Sequence, residues 1–351
     1  MDFFSFLLSF IFLILHLSGQ RVVRGEADVQ HDHRIQKLFV FGDSYADTGN
    51  IEKGFYPPWN VPYGVTFPSE PSGRFSDGRV LTDYIAKYLK VKLPVSYTKV
   101  EHLAPHHLKN GMSFAFGGSG VFETINSLLP NMTTQINFFE KSIQEKVFTT
   151  SDIRKSAALV SIAGNDYLRY VKDGSIQSLP SFISLVVNQT ITNLIRIKEL
   201  GVKKVIITNL PPMGCLPSET ASSSFKQCNE TSNSLLVHYH NTLLTKAVTK
   251  LNQQINDDSS PFIVLDIYDS FMSVLKNPST HNIKNELEPC CVGESSKYFC
   301  GMVVNNVKKY KVCENPKSAF FWDLGHPTDA GWRAVYTMLR KSNALEQIQD
   351  H

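Results

Sequence analysis

Residues 37–44 read Lys-Leu-Phe-Val-Phe-Gly-Asp-Ser, a short apolar run that ends at a glycine and is followed at once by an aspartate and a serine. A run of that length and character predicts a strand over 37–41 that is buried on both faces. Ser44 then falls just past the strand, with its hydroxyl at the mouth of a sheet and outside the core. Runs of the same kind recur at 157–163, 202–209 and 261–267. Longer stretches with helical spacing lie between them. Over 181–200, Phe182, Leu185, Val186, Ile191, Leu194, Ile195 and Ile197 form a broad apolar stripe, and Gly201 follows as a C-terminal cap. Residues 233–253 and 328–340 predict two more helices. Strands that alternate with helices predict an α/β architecture around a mostly parallel sheet, where ligands sit beyond the carboxyl ends of the strands. That rule draws attention to three strand-end segments: Phe41-Gly-Asp-Ser44, Ala163-Gly-Asn-Asp166 and Asn209-Leu-Pro-Pro212.

The bulk numbers narrow the class. The chain has 351 residues, of which 42% are hydrophobic, and 35 basic against 32 acidic side chains leave a net charge of +3. These charges are scattered, without the basic stripe that a phosphate backbone requires, so nucleic acid is not the expected partner. From Phe3 to Leu17 the chain is apolar, and Ser18, Gly19 and Gln20 follow. This predicts a secretory signal over 1–25, with cleavage near Gly19 or near Gly25 to Ala27, and a single mature domain over 26–351, although Asp2 stands where a basic residue is usual. The run is short against the roughly 20 residues of a spanning helix, so no stable membrane anchor is expected. Export agrees with three glycosylation sequons, at Asn131, Asn188 and Asn229. It also agrees with six cysteines, at 215, 228, 290, 291, 300 and 313, which favour disulfides over a metal site. Cys215 with Cys228 is the expected local pair. Cys290 and Cys291 are adjacent and reach for Cys300 and Cys313, in a pairing that the sequence leaves open. The expected protein is secreted, extracellular and monomeric.

Ester hydrolysis by a serine needs a hydroxyl, a base to activate it, a group to orient the base, and donors for the oxyanion. Ser44 is a candidate nucleophile. Asp323-Leu-Gly-His326 supplies acid and base three positions apart, so one loop can hold both against the same serine. Each motif also has a plain reading: a turn serine capping a helix, or an Asp-x-x-His turn before a helix capped by Thr328 or Asp329. Asn165 offers a side-chain amide at a strand end. Asp43 and Asp166 are read as carboxylates bonding nearby backbone. Arg74, Asp77 and Arg79 are read as a salt-linked loop ahead of a helix, and His102, His106 and His107 as a solvated loop around Pro105. The aromatic residues Phe55, Tyr56, Trp59, Tyr63 and Phe67 fit either an apolar entrance or loop packing. No metal or organic cofactor is required.

Segments 39–50, 113–120, 164–166 and 323–328 stand in the order and at the separations of the plant GDSL esterase/lipases of the SGNH hydrolase superfamily. The chain resembles that family over nearly all of its mature length, including Gly73-Arg-Phe-Ser-Asp-Gly-Arg79, the 209–217 stretch and the Cys290-Cys291 pair. The resemblance implies a three-layer α/β/α fold of flavodoxin-like type, with Ser44 as nucleophile, His326 as base and Asp323 as its orienting carboxylate. It implies oxyanion donors from the backbone of Ser44, from Gly118 with Gly117 as its near rival, and from the Asn165 amide. Two departures stand out: Ser113 replaces an asparagine and Tyr45 a leucine. An α/β-hydrolase is disfavoured, since Gly42-Asp-Ser-Tyr-Ala46 misses the nucleophile elbow and that fold keeps its acid and histidine apart. The expected substrate is a small-molecule or lipid carboxylic ester. An acyltransferase would use the same residues, and a non-catalytic accessory protein would have no need of them.

Overall fold

A computed structural model describes residues 34–348 apart from 55, 103–104, 125, 163, 174–177 and 256–259; the side chains of 101–107, 171–173 and 343 are also outside the description. The expected signal over 1–25 therefore lies outside the described residues. No described helix is long and apolar enough to cross a membrane.

Six strands form one wholly parallel sheet: β1 (Lys37–Gly42), β2 (Val95–Ser96), β3 (Gly111–Ser113), β4 (Ser156–Ser161), β5 (Lys204–Thr208) and β6 (Phe262–Leu265), in the order β2-β3-β1-β4-β5-β6. Eight principal helices cover it: α1 (Leu81–Leu89), α2 (Met132–Gln144), α3 (Thr150–Arg154), α4 (Gly164–Asp173), α5 (Leu179–Glu199), α6 (His238–Gln254), α7 (Ile267–Lys276) and α8 (Asp329–Leu339). The pleat of β1 divides the core in two. Leu38 and Val40 face a layer built by α1, α7 and α8, while Phe39 and Phe41 face one built by α2 to α6. Because side chains alternate along a strand and both faces are covered, the strand reads as a continuous apolar run.

Right-handed crossovers require connections that run in opposite directions along a sheet to place their helices on opposite faces. The link from β1 to β2 runs one way, with α1 on one face. Links from β3 to β4, β4 to β5 and β5 to β6 run the other way, with α2 to α6 on the opposite face. Strand order thus reverses at β1, and Ser44 follows directly at that switch point, where α/β sheets bind ligands.

Gly42 makes the exit from β1 possible. Its φ is +146°, and a Cβ there would lie 2.1 Å from the carbonyl oxygen of Ser161 on β4. Gly42→Ala should therefore cost roughly 1–3 kcal/mol from overpacking, with backbone strain added. Thermal unfolding of the variant checks this, and an unchanged Tm would contradict it.

The expected run at 37–41 corresponds to β1, which extends one residue further to Gly42, and the run at 202–209 contains β5. The run at 157–163 corresponds to β4, which ends at Ser161. The run at 261–267 ends sooner than expected, because the Asp266 carboxylate accepts the Asp269 N–H at 2.9 Å and starts α7. Residues 233–253 begin as a π-turn over Asn233–Val237, whose first side chain is turned to the Gly214 N–H at 2.9 Å, before α6 proper.

Three disulfides use all six cysteines: Cys215–Cys228, as expected, with Cys290–Cys313 and Cys291–Cys300. The last two staple a segment with an antiparallel pairing of Cys291–Gly293 to Tyr310–Val312. It encloses a small third core with Tyr63 and Trp322. Asn188 and Asn229 are exposed, whereas Asn131 is half-buried and caps α2 through the Thr134 N–H at 2.9 Å.

Candidate active site

After β1 the chain turns at once, with the Ala46 and Asp47 N–H groups bonded back to the Asp43 carbonyl at 3.0 and 2.9 Å. This turn holds Ser44 at the sheet's carboxyl edge. The loop from Trp322 to Thr328 closes through the Trp322 N–H to the His326 carbonyl at 2.7 Å. Inside it, Asp323 Oδ1 accepts the backbone N–H groups of Gly325 (2.9 Å) and His326 (3.0 Å) and meets His326 Nδ1 at 2.7 Å. Such a turn, organised by an aspartate around its own downstream backbone, needs very few residues, which is why three positions suffice. His326 Nε2 reaches Ser44 Oγ at 2.8 Å. The structure thus brings Ser44, His326 and Asp323, spread over 282 positions, into one hydrogen-bonded chain.

Burial alone would raise the Asp323 carboxyl. The charge of His326, its hydrogen bond, the Gly325 N–H and the Tyr63 hydroxyl outweigh burial and hold it below the usual carboxylate range. Asp43 goes the other way: burial pushes it up to about 7, and its Oδ1 accepts the Tyr45 N–H at 3.0 Å, so it fastens backbone beside the serine.

Residues 113–122 are tied down by neighbouring carboxylates and amides. Asp47 Oδ2 accepts the Gly117 N–H at 2.9 Å, which commits that group to the interior. Gly118, at φ +86°, comes next. Asn165 donates to the Ser119 carbonyl at 2.8 Å, and its amide has a second N–H besides. Asp166 accepts the N–H groups of Val121 and Phe122, each at 2.9 Å, the loop-fixing role read from its position. Ser113 leaves its buried hydroxyl without a hydrogen-bond partner among the described residues. Asn50 instead serves this strand end, donating to the carbonyls of Ser113 (2.7 Å) and Ala115 (2.9 Å).

Over Ser44 lies a cavity of about 150 Å³, lined by Tyr45, Ile162, Asn165, Leu210, Met213 and Leu216 among others. Tyr45, where a leucine is usual, donates its hydroxyl to the Gly325 carbonyl at 2.8 Å and so anchors the histidine loop. Its ring meets the imidazole edge-on at 5.9 Å, and Phe75 covers another side at 4.9 Å. Phe75 comes this close because Gly117 has no side chain: a Cβ there would lie 2.1 Å from the Phe75 ring.

Arg74, Asp77 and Arg79 form the salt-linked loop read from the sequence. Arg74 grips Asp83 through two nitrogens at 3.0 Å, Arg79 meets Asp329 at 3.2 Å, and Asp77 accepts the Asp329 N–H at 2.7 Å. Phe67 packs under Arg79, 4.0 Å from its guanidinium, which settles that aromatic as loop packing. The backbone of His102, His106 and His107 lies in short 3₁₀ turns, and their side chains are outside the described residues.

Sequence reading missed Tyr63. Its buried hydroxyl donates to Asp323 Oδ2 at 2.7 Å. It is one of several aromatics in its stretch, and no local spacing pointed to a partner 260 positions away. Tyr63→Phe should raise the Asp323 carboxyl by removing a donor to its charged form. The hydrogen-bonded Asp323–His326 pair then holds a proton more tightly, so the acid limb of the kcat/KM profile should move to higher pH. At its optimum kcat should fall about tenfold, the scale of one hydrogen bond to a charged group. A profile unchanged in both respects would show that Tyr63 only fills space.

Sheet and site together have the layout of an ester-bond hydrolase, and comparison with known proteins agrees. The family model for GDSL-like lipase/acylhydrolases matches residues 38–337, so the chain belongs to that family. It is 48% identical over 351 residues to GDSL esterase/lipase At5g03610 of Arabidopsis thaliana, covering 97% of each chain. To GDSL esterase/lipase At3g09930 of the same plant it is 48% identical over 315 residues, 88% of each. Among solved structures, a putative GDSL-like lipase from Parabacteroides merdae is similar at 12% identity and a TM-score of 0.42, over 89% of this chain and 97% of that one.

Proposed function

We propose that the protein is a secreted serine esterase that hydrolyses carboxylic esters through an acyl-enzyme on Ser44. The observation that carries this reading is the chain from Ser44 Oγ through His326 to Asp323, with links of 2.8 and 2.7 Å. His326 takes the Ser44 proton as the oxygen attacks the acyl carbon, then gives it to the departing alcohol. Water next attacks the acyl-enzyme, His326 takes its proton, and the acid leaves as Ser44 is reprotonated. The backbone N–H groups of Ser44 and Gly118 and the free amide N–H of Asn165 receive the oxyanion; Gly118 is preferred to Gly117, whose N–H is spent on Asp47. The catalytic domain spans 26–351 after removal of a signal over 1–25, with carbohydrate at Asn131, Asn188 and Asn229. Three disulfides favour an oxidising destination outside the cell.

The test is hydrolysis of p-nitrophenyl esters from acetate to palmitate by the secreted protein, with fluorophosphonate labelling and peptide mapping alongside. Turnover with the label on the Ser44 peptide is expected. Label on any other serine would overturn the assignment.

A further inference from the structure

His326 stands between two hollows. The one over Ser44 also touches Asn165. A second, of about 230 Å³, lies on the Phe75 side of the imidazole and touches His326, Gly325 and Asp323 but not Ser44. Its walls are Phe75, Tyr63, Pro57, Leu324, Phe299 and the Cys291–Cys300 disulfide. Among the described residues Asp323 is the one carboxylate in that lining, and both its oxygens are already occupied by Tyr63, His326 and backbone. Phe299 and Leu324 are 47% and 42% exposed at the rim. Large apolar side chains left open beside a reacting pair are the usual lining of a ligand site.

Acyl transfer gives the two hollows different tasks, an assignment that rests on the Ser44 mechanism above. The acyl carbon becomes bonded to Ser44 and its oxyanion turns toward Asn165, so the acyl group occupies the hollow that touches both. The alcohol oxygen receives its proton from His326 Nε2, and the body of the alcohol extends from there. We propose that the hollow bounded by Phe75, Phe299 and Leu324 binds the alcohol half of the substrate, and that this half is an uncharged alkyl or aryl group. A sugar or charged headgroup would bring hydroxyls or charge against walls whose described polar side chains, Tyr63, Asp323 and His326, are already bonded to one another or to Ser44. A cavity of about 150 Å³ is known to hold benzene, so this larger one admits an aromatic ring with a short chain. The wall that would select the alcohol is stapled by disulfides and stands apart from the sheet that carries Ser44.

The experiment uses acetate esters, with the acyl group held constant, of methanol, benzyl alcohol, 2-naphthylmethanol and xylose, with wild type and Phe299→Asp. Phe299 is exposed and makes no part of the hydrogen-bonded chain. Wild-type kcat/KM should rise about 10- to 100-fold from methyl to benzyl acetate. Phe299→Asp should remove at least tenfold of that gain, while methyl acetate and the dependence on acyl length with p-nitrophenyl esters stay within about twofold. A flat alcohol series, preference for acetylated xylose, or a Phe299→Asp change in the dependence on acyl length would overturn the proposal. Binding of 2-naphthylmethanol to Ser44→Ala protein, followed by fluorescence, separates this proposal from the esterase reading. Binding that Phe299→Asp abolishes, together with wild-type protein that turns over none of the esters, supports the hollow and sinks the mechanism; wild-type turnover without such binding does the reverse.

Discussion

Ser44→Ala should lower kcat by about a millionfold and abolish fluorophosphonate labelling, while Tm moves by only a few degrees. In triad hydrolases, removing the nucleophile costs about as much as removing the whole triad, because the groups act as a unit. The donors proposed for the oxyanion survive the substitution, since the alanine keeps its N–H and Asn165 is unchanged. A residue of about 10³- to 10⁴-fold over the uncatalysed reaction should therefore persist. The structural loss is one hydrogen bond, from Ser44 Oγ to His326 Nε2, with a net worth of about 0.5–1.5 kcal/mol. For a chain of this size that corresponds to a few degrees at most. Stopped assays on purified variant, with calorimetry on the same sample, measure both. Activity within tenfold of wild type would place the nucleophile elsewhere; a collapse in Tm would mean that lost activity reports unfolding.

How far the sequence reached depended on the length of each signal. Lys37–Gly42, Ser156–Ser161, Lys204–Thr208 and Phe262–Leu265 were legible because each is long enough for its apolar composition to register. Val95–Ser96 and Gly111–Ser113 are two and three residues long and define no period, so they appeared only with the hydrogen bonds of the sheet. The site divides in the same way. Asp323 and His326 belong to one local turn, and Ser44 marks the end of a readable strand. Tyr63, Phe75 and Phe299 share no motif with the residues they surround and come into place through tertiary packing. Phe75 needed a glycine at 117, and Tyr63 needed the core it shares with Trp322 and the Cys291–Cys300 disulfide. Tyr45 stands out in the sequence only as a departure beside Ser44. It lines the cavity over that serine, and its hydroxyl also anchors the loop that carries His326.

That loop makes two substitutions of Asp323 differ in an instructive way. Asp323→Ala should lower kcat by roughly 10⁴-fold, since it removes the carboxylate that orients His326. It also leaves the Gly325 and His326 N–H groups and the Tyr63 hydroxyl without an acceptor. Asp323→Asn should be milder, at about 100-fold. Where an asparagine turns its NH2 toward the histidine, the imidazole adopts the wrong tautomer and kcat falls by about 10⁴. Here two backbone N–H groups already point at the Oδ1 position, 2.9 and 3.0 Å away, and they select the amide oxygen for that place. The NH2 is then left facing Tyr63, whose hydroxyl can rotate to accept from it. Nδ1–H still meets an oxygen, so only the negative charge is lost. Adding Tyr63→Phe removes the acceptor for that NH2 and should make the asparagine variant worse by more than Tyr63→Phe costs alone. The measurement is kcat for the alanine, asparagine and double variants against one p-nitrophenyl ester at a fixed pH. Asparagine as damaging as alanine would mean that the backbone of the 323–326 turn does not dictate the tautomer of His326.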